Sequence, residues 1–304
     1  MITTLSAMQV SRFKSFIIGL TLLLLGPLLA GCSSLRMGYA NGPLLGWWWI
    51  DGYLDFTREQ TPQVKQVLER WFDWHRSTQL AEYARVLSQL RAQVLEPTTA
   101  AAACAWPQRV RNQLDPALAR ALGEFADVLP GLGEVQFRYL EQRYAKQNEE
   151  LRANFLQADA SERQRAALRR TLERAERFYG PLEPAQRQLV SAGALASPFN
   201  AELWMTERQR RQRDTLQTLR RLAADKSDKS DKPQRLMALQ ALVQRSERSP
   251  SPEYEAYQAR LAEHNCALGT RFHNAATPAQ RQKAHDTIKA WEDDFRALMA
   301  PAGG

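Results

Sequence analysis

The sequence predicts an all-α protein, a bundle of about eight helices with no sheet. Three observations predict it. Apolar residues recur at i, i+3, i+4 and i+7 through the long stretches, and no run of strand length alternates apolar with polar residues. Breaks such as Gly180-Pro181 and Ser249-Pro250-Ser251-Pro252 separate the periodic segments.

Residues 1–31 read as an export signal. Arg12 and Lys14 precede the apolar run from Phe16 to Leu25, which falls short of the roughly 20 residues that span a bilayer. Polar Ser33, Ser34 and Arg36 follow without a stop-transfer continuation, so cleavage is expected rather than a retained span. Leu29-Ala30-Gly31-Cys32 resembles the lipobox of bacterial lipoproteins. That resemblance implies cleavage before Cys32, diacylglycerol on its sulfur and acylation of its amine; no cofactor besides this covalent lipid is expected. Each buried methylene contributes about 0.8 kcal/mol, so several chains on one residue anchor durably where a single chain does not. Ser33 in place of Asp resembles the pattern that lets lipoproteins move to the outer membrane. The expected location is therefore the cell envelope, at the periplasmic face of that membrane. Residues 32–46 become a lipidated tether and residues 47–300 one helical domain.

In that domain, Val64, Val67, Leu68, Trp71 and Phe72, then Tyr83, Val86, Leu87, Leu90 and Val94, form an apolar stripe between Pro62 and Leu95. One helix, or two joined near Ser77, follows. Val110, Leu114, Leu118, Leu122 and Phe125 predict a second inward face, and Phe137, Leu140, Tyr144, Leu151 and Phe155 a third. Ser161 and Gln164 have capping-box spacing and open a helix through Leu168 and Leu172, closed by Gly180 and Pro181. A short helix around Leu189 precedes a break at Pro198 and Asn200. A long basic helix then carries Leu203, Trp204, Leu216, Leu219 and Leu222. The repetitive Asp-Lys-Ser segment 225–233 reads as an exposed loop. Tyr254, Tyr257, Leu261 and Phe272 mark the next helix. The last opens at Thr277-Pro278-Ala279-Gln280 and buries Ile288, Trp291, Phe295 and Leu298. A short theme recurs at Thr57-Arg58-Glu59-Gln60, Ser161-Glu162-Arg163-Gln164 and Thr277 to Gln280, with a degenerate copy at Leu182-Glu183-Pro184-Ala185-Gln186. Its irregular spacing excludes a solenoid and reads as helix caps.

Lipidation of Cys32 would leave Cys104 and Cys266 as a pair in an oxidising compartment, and a disulfide between them is expected, the alternative being two buried thiols. The formal charge of +8 falls by two when Arg12 and Lys14 leave with the signal. Its densest part, Arg208, Arg210, Arg211, Arg213, Arg220 and Arg221, lacks the interleaved aromatics of single-strand nucleic-acid binders and reads as a solvated helix face. No nucleic acid is expected as a partner. The histidines, His75, His264, His273 and His285, have no close ligand spacing, so no metal is expected either. Nucleophile elbows, Walker loops and dinucleotide fingerprints are missing, and no catalytic residue is assigned.

Leu35-Arg36-Met37-Gly38-Tyr39, the stretch from Trp47-Trp48-Trp49 through Asp55-Phe56-Thr57 to Gln60, Trp74-His75-Arg76, and Ser197-Pro198-Phe199-Asn200 before Leu203-Trp204 together resemble a family of helical proteobacterial lipoproteins of unknown function. The resemblance covers most of the mature chain and implies no activity, ligand or site residue. A weaker one, to periplasmic chaperones of the envelope stress response, lies in their Leu-Thr-x-x-Gln theme. Here Phe56 and Ala276 stand where that theme has leucine.

Trp47, Trp48 and Trp49 are the candidate contact with membrane or partner, because tryptophan combines an apolar ring with an N–H that can reach water. Helical neighbours lie about 100° apart, so two can enter the core while one faces outward. The function expected is non-catalytic: a membrane-anchored interaction or assembly factor contacting an envelope protein or cell-wall polymer. The alternative is a holdase-like chaperone, which needs a large apolar concavity.

Overall fold

The structure, a computed structural model, describes residues 34–224 and 232–299. The signal, Cys32 and residues 225–231 of the expected loop lie outside the described residues. Among those described there are twelve α-helices and no strand, where the sequence suggested about eight helices. The chain divides at Asn41 into two units. The first contains α1 (Ser34–Ala40), whose end is closed by the Asn41 amide donating to the Met37 carbonyl at 2.9 Å.

From Gly42 the second unit runs through α2 (Gly42–Leu54), α3 (Thr61–Thr78), α4 (Leu80–Gln93) and α5 (Ala100–Val128). A 3-10 turn (Leu129–Gly131) leads into α6 (Glu134–Phe155), α7 (Ala160–Tyr179) and α8 (Pro184–Leu195). Then come α9 (Ala201–Ala224), α10 (Lys232–Glu247), α11 (Pro252–Asn274) and α12 (Pro278–Met299).

The additional helices have local causes. Residues 34–40 and 42–46, which the sequence placed in a tether, are helical, and α2 is held by the burial of Trp47 and Leu54. Gly42 permits this: a Cβ there would lie 2.3 Å from the Phe72 ring of α3. Asp55, with φ 46°, ends α2 in the left-handed region, and Asp51 secures the turn by accepting the Phe56 N–H at 3.0 Å. The stripe from Pro62 to Leu95 is two helices separated by Gln79. Lys232 and Pro233, assigned to the loop, open α10, where proline suits the first turn.

Helix α5 corrects a second expectation. Its 29 residues extend about 43 Å. Only the C-terminal end, from Ala117 through Leu122, Phe125, Ala126 and Val128, packs inward, while Val110, Leu114 and Leu118 are exposed. The outlying half is fixed by other means. Cys104 is disulfide-bonded to Cys266 of α11, with Cα atoms 5.4 Å apart, and Arg111 pairs with Glu247 of α10 at 2.7 Å.

Three apolar clusters make the core. The largest joins Trp47, Leu54, Phe56, Val64 and Val67 to Phe137, Leu140, Leu216, Leu219 and Leu239. The second sets Val94 against Ala284 and Ile288, and the third packs Leu182 and Val190 on Phe272.

The glutamine theme does more than cap. Thr277 N–H donates to Gln280 Oε1 at 2.9 Å, and Thr277 Oγ1 accepts the Gln280 N–H, completing the predicted box. Gln280 Nε2 also donates to Gln186 Oε1 at 2.8 Å, and Gln186 Nε2 returns the bond at 2.7 Å. The remaining N–H of each amide goes to the segment before the other helix, Gln280 to Pro181 O and Gln186 to Ala275 O. The same exchange joins Gln60 to Gln136, which the sequence reading had not grouped with the theme. Gln60 donates to Gly131 O, and Gly133 N–H donates to Gln136 Oε1. Phe56, Leu132, Leu182 and Ala276, each just before its cap, are all buried. Ser161 to Gln164 is not a member: Asp159 caps α7, accepting from Ser161 N–H at 2.8 Å.

Two outcomes follow. Gln280→Leu removes the partner of a buried amide and is expected to cost about 3 kcal/mol in denaturant unfolding, whereas Gln188→Leu on an exposed face changes stability by under about 0.5 kcal/mol. Reduction of Cys104–Cys266, which closes a separation of 162 residues, is expected to lower stability by up to about 5 kcal/mol, read as a fall in Tm with reductant.

Candidate functional site

Helix α2 sends its three tryptophans to three environments. Trp47 is buried, with its ring 5.7 Å from that of Phe56 and the Lys65 Nζ 5.2 Å over it. This corrects its assignment as a contact residue: the 100° step that turns it inward turns its neighbours out. Trp48 and Trp49 are 62% and 67% exposed, so one tryptophan enters the core rather than two. Leu44 and Leu45, also exposed, precede them by one turn, Leu44 in line with Trp48 and Leu45 with Trp49.

Beside that face opens a groove of about 930 Å³, within the size range of small-molecule sites. Trp49, Ile50 and Tyr53 of α2 form one side, and Leu68, Trp71 and Phe72 of α3 another. Leu122 and Phe125 of α5, Tyr144 of α6 and Leu219 of α9 complete the apolar wall. Gly46, Ala121 and Thr215 are the small residues of its lining. The helix starts that set this spacing are those joined by Gln60 and Gln136.

Polar groups meet the groove at its margin. Glu124 is gripped by Arg70 at 2.9 Å and Arg120 at 2.8 Å. Tyr53 Oη accepts from the Gln147 amide, while Arg208 donates to Asn148 Oδ1 at 3.0 Å and Gln147 Oε1 at 3.1 Å. Arg211 donates to Glu207, and its guanidinium lies 5.6 Å over the Tyr254 ring. The basic face of α9 is thus largely engaged with the protein, against the expectation of a solvated surface: Arg210 also holds Glu207, and Arg220 holds Glu134 and Glu141.

A second cleft of about 1340 Å³ shares Trp204 with the groove. Arg152, Arg163, Arg170 and Arg174 line it, with Glu202 as its carboxylate. Arg170 stacks 4.3 Å over Phe155, and burial together with Arg169 and Arg174 pushes its pKa down.

The histidines have structural partners. His75 is buried, stacked on Trp71 at 4.6 Å with Nε2 3.3 Å from Tyr83 Oη, and burial lowers its pKa. His273 Nε2 lies 2.8 Å from the Glu96 carbonyl, which can only accept, and Nδ1 lies 2.8 Å from Tyr179 Oη. Burial pushes that phenol up to about 12. His264 meets the Gly193 carbonyl at 2.9 Å, and His285 meets Asp286. Among the described residues no three His, Cys, Asp or Glu side chains converge on a metal position, and no described helix is long and apolar enough to cross a membrane.

Fold and site together define an all-helical protein built around an aromatic groove. Residues 52–255 match the family of unknown function DUF6279, and the chain belongs to that family. No curated protein and no solved structure matches it.

The buried carboxylates set the response to acid. Burial raises the pKa of Glu207, but hydrogen bonds from Arg210, Arg211 and Ser249 outweigh it, and the net shift is below the ordinary 4.5. Glu292 behaves alike between Arg296 and Arg91, and Asp214, bonded to Arg245, lies below its ordinary 3.8. Carboxylates lowered in the folded state contribute stability that is complete above their unfolded values and lost as pH falls through the folded ones. Unfolding free energy is therefore expected to drop below about pH 4.5. In Glu207→Gln that drop is shallower and the plateau near pH 7 lower, as denaturant titration across the range will read.

Proposed function

We propose that this protein is a lipid-anchored, non-catalytic binding factor of the bacterial envelope, held through Cys32 at the periplasmic face of the outer membrane, with the aromatic groove as its binding site. The groove carries the reading. An open hollow walled by Trp49, Tyr53, Trp71 and Phe72, whose neighbouring carboxylate Glu124 is already paired with two arginines, has the composition of a site for an apolar ligand rather than of a reaction centre. The lipobox residues Leu29, Ala30, Gly31 and Cys32 support the anchor, and the exposed Leu44, Leu45, Trp48 and Trp49 face supports contact with lipid or an envelope protein close to it.

In cells given radiolabelled palmitate, the intact chain is expected to take up label and fractionate with membranes, while Cys32→Ser does neither. Unlabelled intact chain would overturn the anchor. For the groove, the chain from Ser33 onward is expected to bind an apolar naphthylamine dye saturably, and Thr215→Phe, which fills the hollow, to abolish binding at an unchanged Tm. Equal binding by both forms would move the ligand elsewhere.

The same exposed face of α2 favours one other reading, a holdase that shields unfolded chains. Suppression of client light scattering at near-stoichiometric ratio would put that reading first.

A further inference from the structure

The second cleft gathers positive charge that the protein does not balance. Arg152, Arg163, Arg170 and Arg174 line it against the single carboxylate of Glu202, and among the described residues none of the four forms an ion pair with an acid. Arginines of α7 that do not line the cleft are paired, Arg165 with Asp159 at 3.7 Å and Arg169 with Glu173 at 4.0 Å, while Glu176 is taken by Arg187 of α8. Arg163, Arg170 and Arg174 fall on one face of α7, at i, i+7 and i+11, and like charges four residues apart repel. Half-buried Arg163 donates from Nη1 to the Gln157 and Ala158 carbonyls, and half-buried Arg170 from Nη1 to that of Asn154. These neutral carbonyls hold the two guanidinium groups without cancelling their charge, and among the described residues no bond leaves Nε or Nη2 of either. Arg152 and Arg174 are exposed.

Beside the arginines lie an aromatic surface and free amides. Phe199 is 40% exposed and is backed by Phe155 and Trp204, with ring centroids 6.1 and 6.3 Å away. The side-chain amides of Gln164 and Asn265 make no hydrogen bond among the described residues. At about 1340 Å³ the cleft exceeds the usual small-molecule site and has room for a ligand of several units.

We propose that this cleft binds an acidic saccharide, a short sugar chain carrying at least two carboxylate or phosphate groups, with its oxyanions on Arg163, Arg170 and Arg174 and a ring face against Phe199. Guanidinium forks match the paired oxygens of a carboxylate or phosphate, and the carbonyls that hold Arg163 and Arg170 reduce the freedom lost on binding. Sugar hydroxyls both donate and accept, as do the amides of Gln164 and Asn265. The C–H face of a sugar ring is apolar and weakly positive, which suits the negative face of the Phe199 ring. A chain of glutamates would meet the same arginines but has no such face for Phe199. The cleft has only Trp204 in common with the aromatic groove, and this inference does not rest on the ligand of that groove.

The test is calorimetric titration of the full chain in phosphatidylcholine nanodiscs at pH 7 and physiological salt. The ligands are tetragalacturonate, a bisphosphorylated glucosamine disaccharide, neutral chitotetraose and tetraglutamate. At least one acidic saccharide is expected to bind about tenfold more tightly than chitotetraose and than tetraglutamate, and the better of the two assigns the anion as carboxylate or phosphate. Arg174→Gln removes an exposed side chain without an ion-pair partner, so it is expected to weaken that binding about tenfold with no fall in Tm. Phe199→Ala is expected to weaken the saccharide and leave tetraglutamate unchanged. Chitotetraose binding as tightly as the acidic saccharides overturns the role of the arginines. Tetraglutamate binding as tightly overturns the saccharide and puts an acidic peptide in its place. Absence of binding by both acidic saccharides overturns the proposal outright, as does an affinity unchanged in both Arg174→Gln and Arg170→Gln.

Discussion

Much of the bundle depends on two reciprocal amide exchanges, Gln60 with Gln136 and Gln186 with Gln280. A glutamine amide has two donors and a carbonyl that accepts twice. In Gln186 and Gln280 all four valences are filled by the helix's own start, the opposite amide and the opposite entry segment. Such a pair can be made only when the two helix starts meet in one register. A slip of one residue would turn the amides away and leave buried donors unpaired, at a cost of several kcal/mol. Apolar contacts among α3, α6, α8 and α12 would tolerate sliding; the amides do not. They therefore give the helix ends a specificity that hydrophobic burial lacks, and buried Phe56, Leu132, Leu182 and Ala276 keep water from competing for them.

The buried charges follow the same logic. Glu124, Glu207 and Glu292 are each gripped by two arginines. Glu207 takes both of its arginines from its own helix, three and four positions on, whereas Glu124 and Glu292 each take one from four positions away on their own helix, Arg120 and Arg296, and the second from another helix, Arg70 and Arg91. Those ion pairs fix pairs of helices while keeping the carboxylates charged. The groove survives among them because its rim is held by polar contacts instead of being filled by side chains. Gly46, Ala121 and Thr215 are the small residues of its lining. In a helical bundle an apolar hollow without function lowers stability through lost dispersion contacts.

Fold class and most helix starts were legible in the sequence because each rests on local periodicity or capping. Thr277 to Gln280 and Gly180 belong there, whereas the Cys104–Cys266 pair was expected from the cysteine count and an oxidising compartment. Pairing between caps was not legible. Gly133 lacks a side-chain oxygen, so Gln136 resembled an ordinary helical residue, although buried Leu132 before it and Gln three positions after it carry the signal. Ser161 and Gln164 had the right letters, but Asp159 is the stronger cap and starts α7 earlier. The exposed Val110, Leu114 and Leu118 show the limit of periodicity: a stripe states which face is apolar, not whether another helix covers it. The groove was invisible for the same reason. Its lining comes from six helices, and each contributes residues that by spacing alone read as core.

The Trp47-Trp48-Trp49 triplet ties these strands of argument together. An amphipathic helix would divide inside from outside with one apolar stripe, but α2 is apolar nearly all round and carries Asp51 as its one charged residue. A helix of that composition presents apolar surface on more than one face. Trp47 fills the core, Trp49 stands at the groove with Tyr53 5.1 Å away, and Trp48 extends the exposed face begun by Leu44 and Leu45. Consecutive positions are needed because a 100° step distributes them over three directions, which spacing at i+3 or i+4 would not do. Core, groove and outer face thus meet on one short helix, and a ligand entering beside Trp49 would touch the same element that packs Trp47 and presents Trp48.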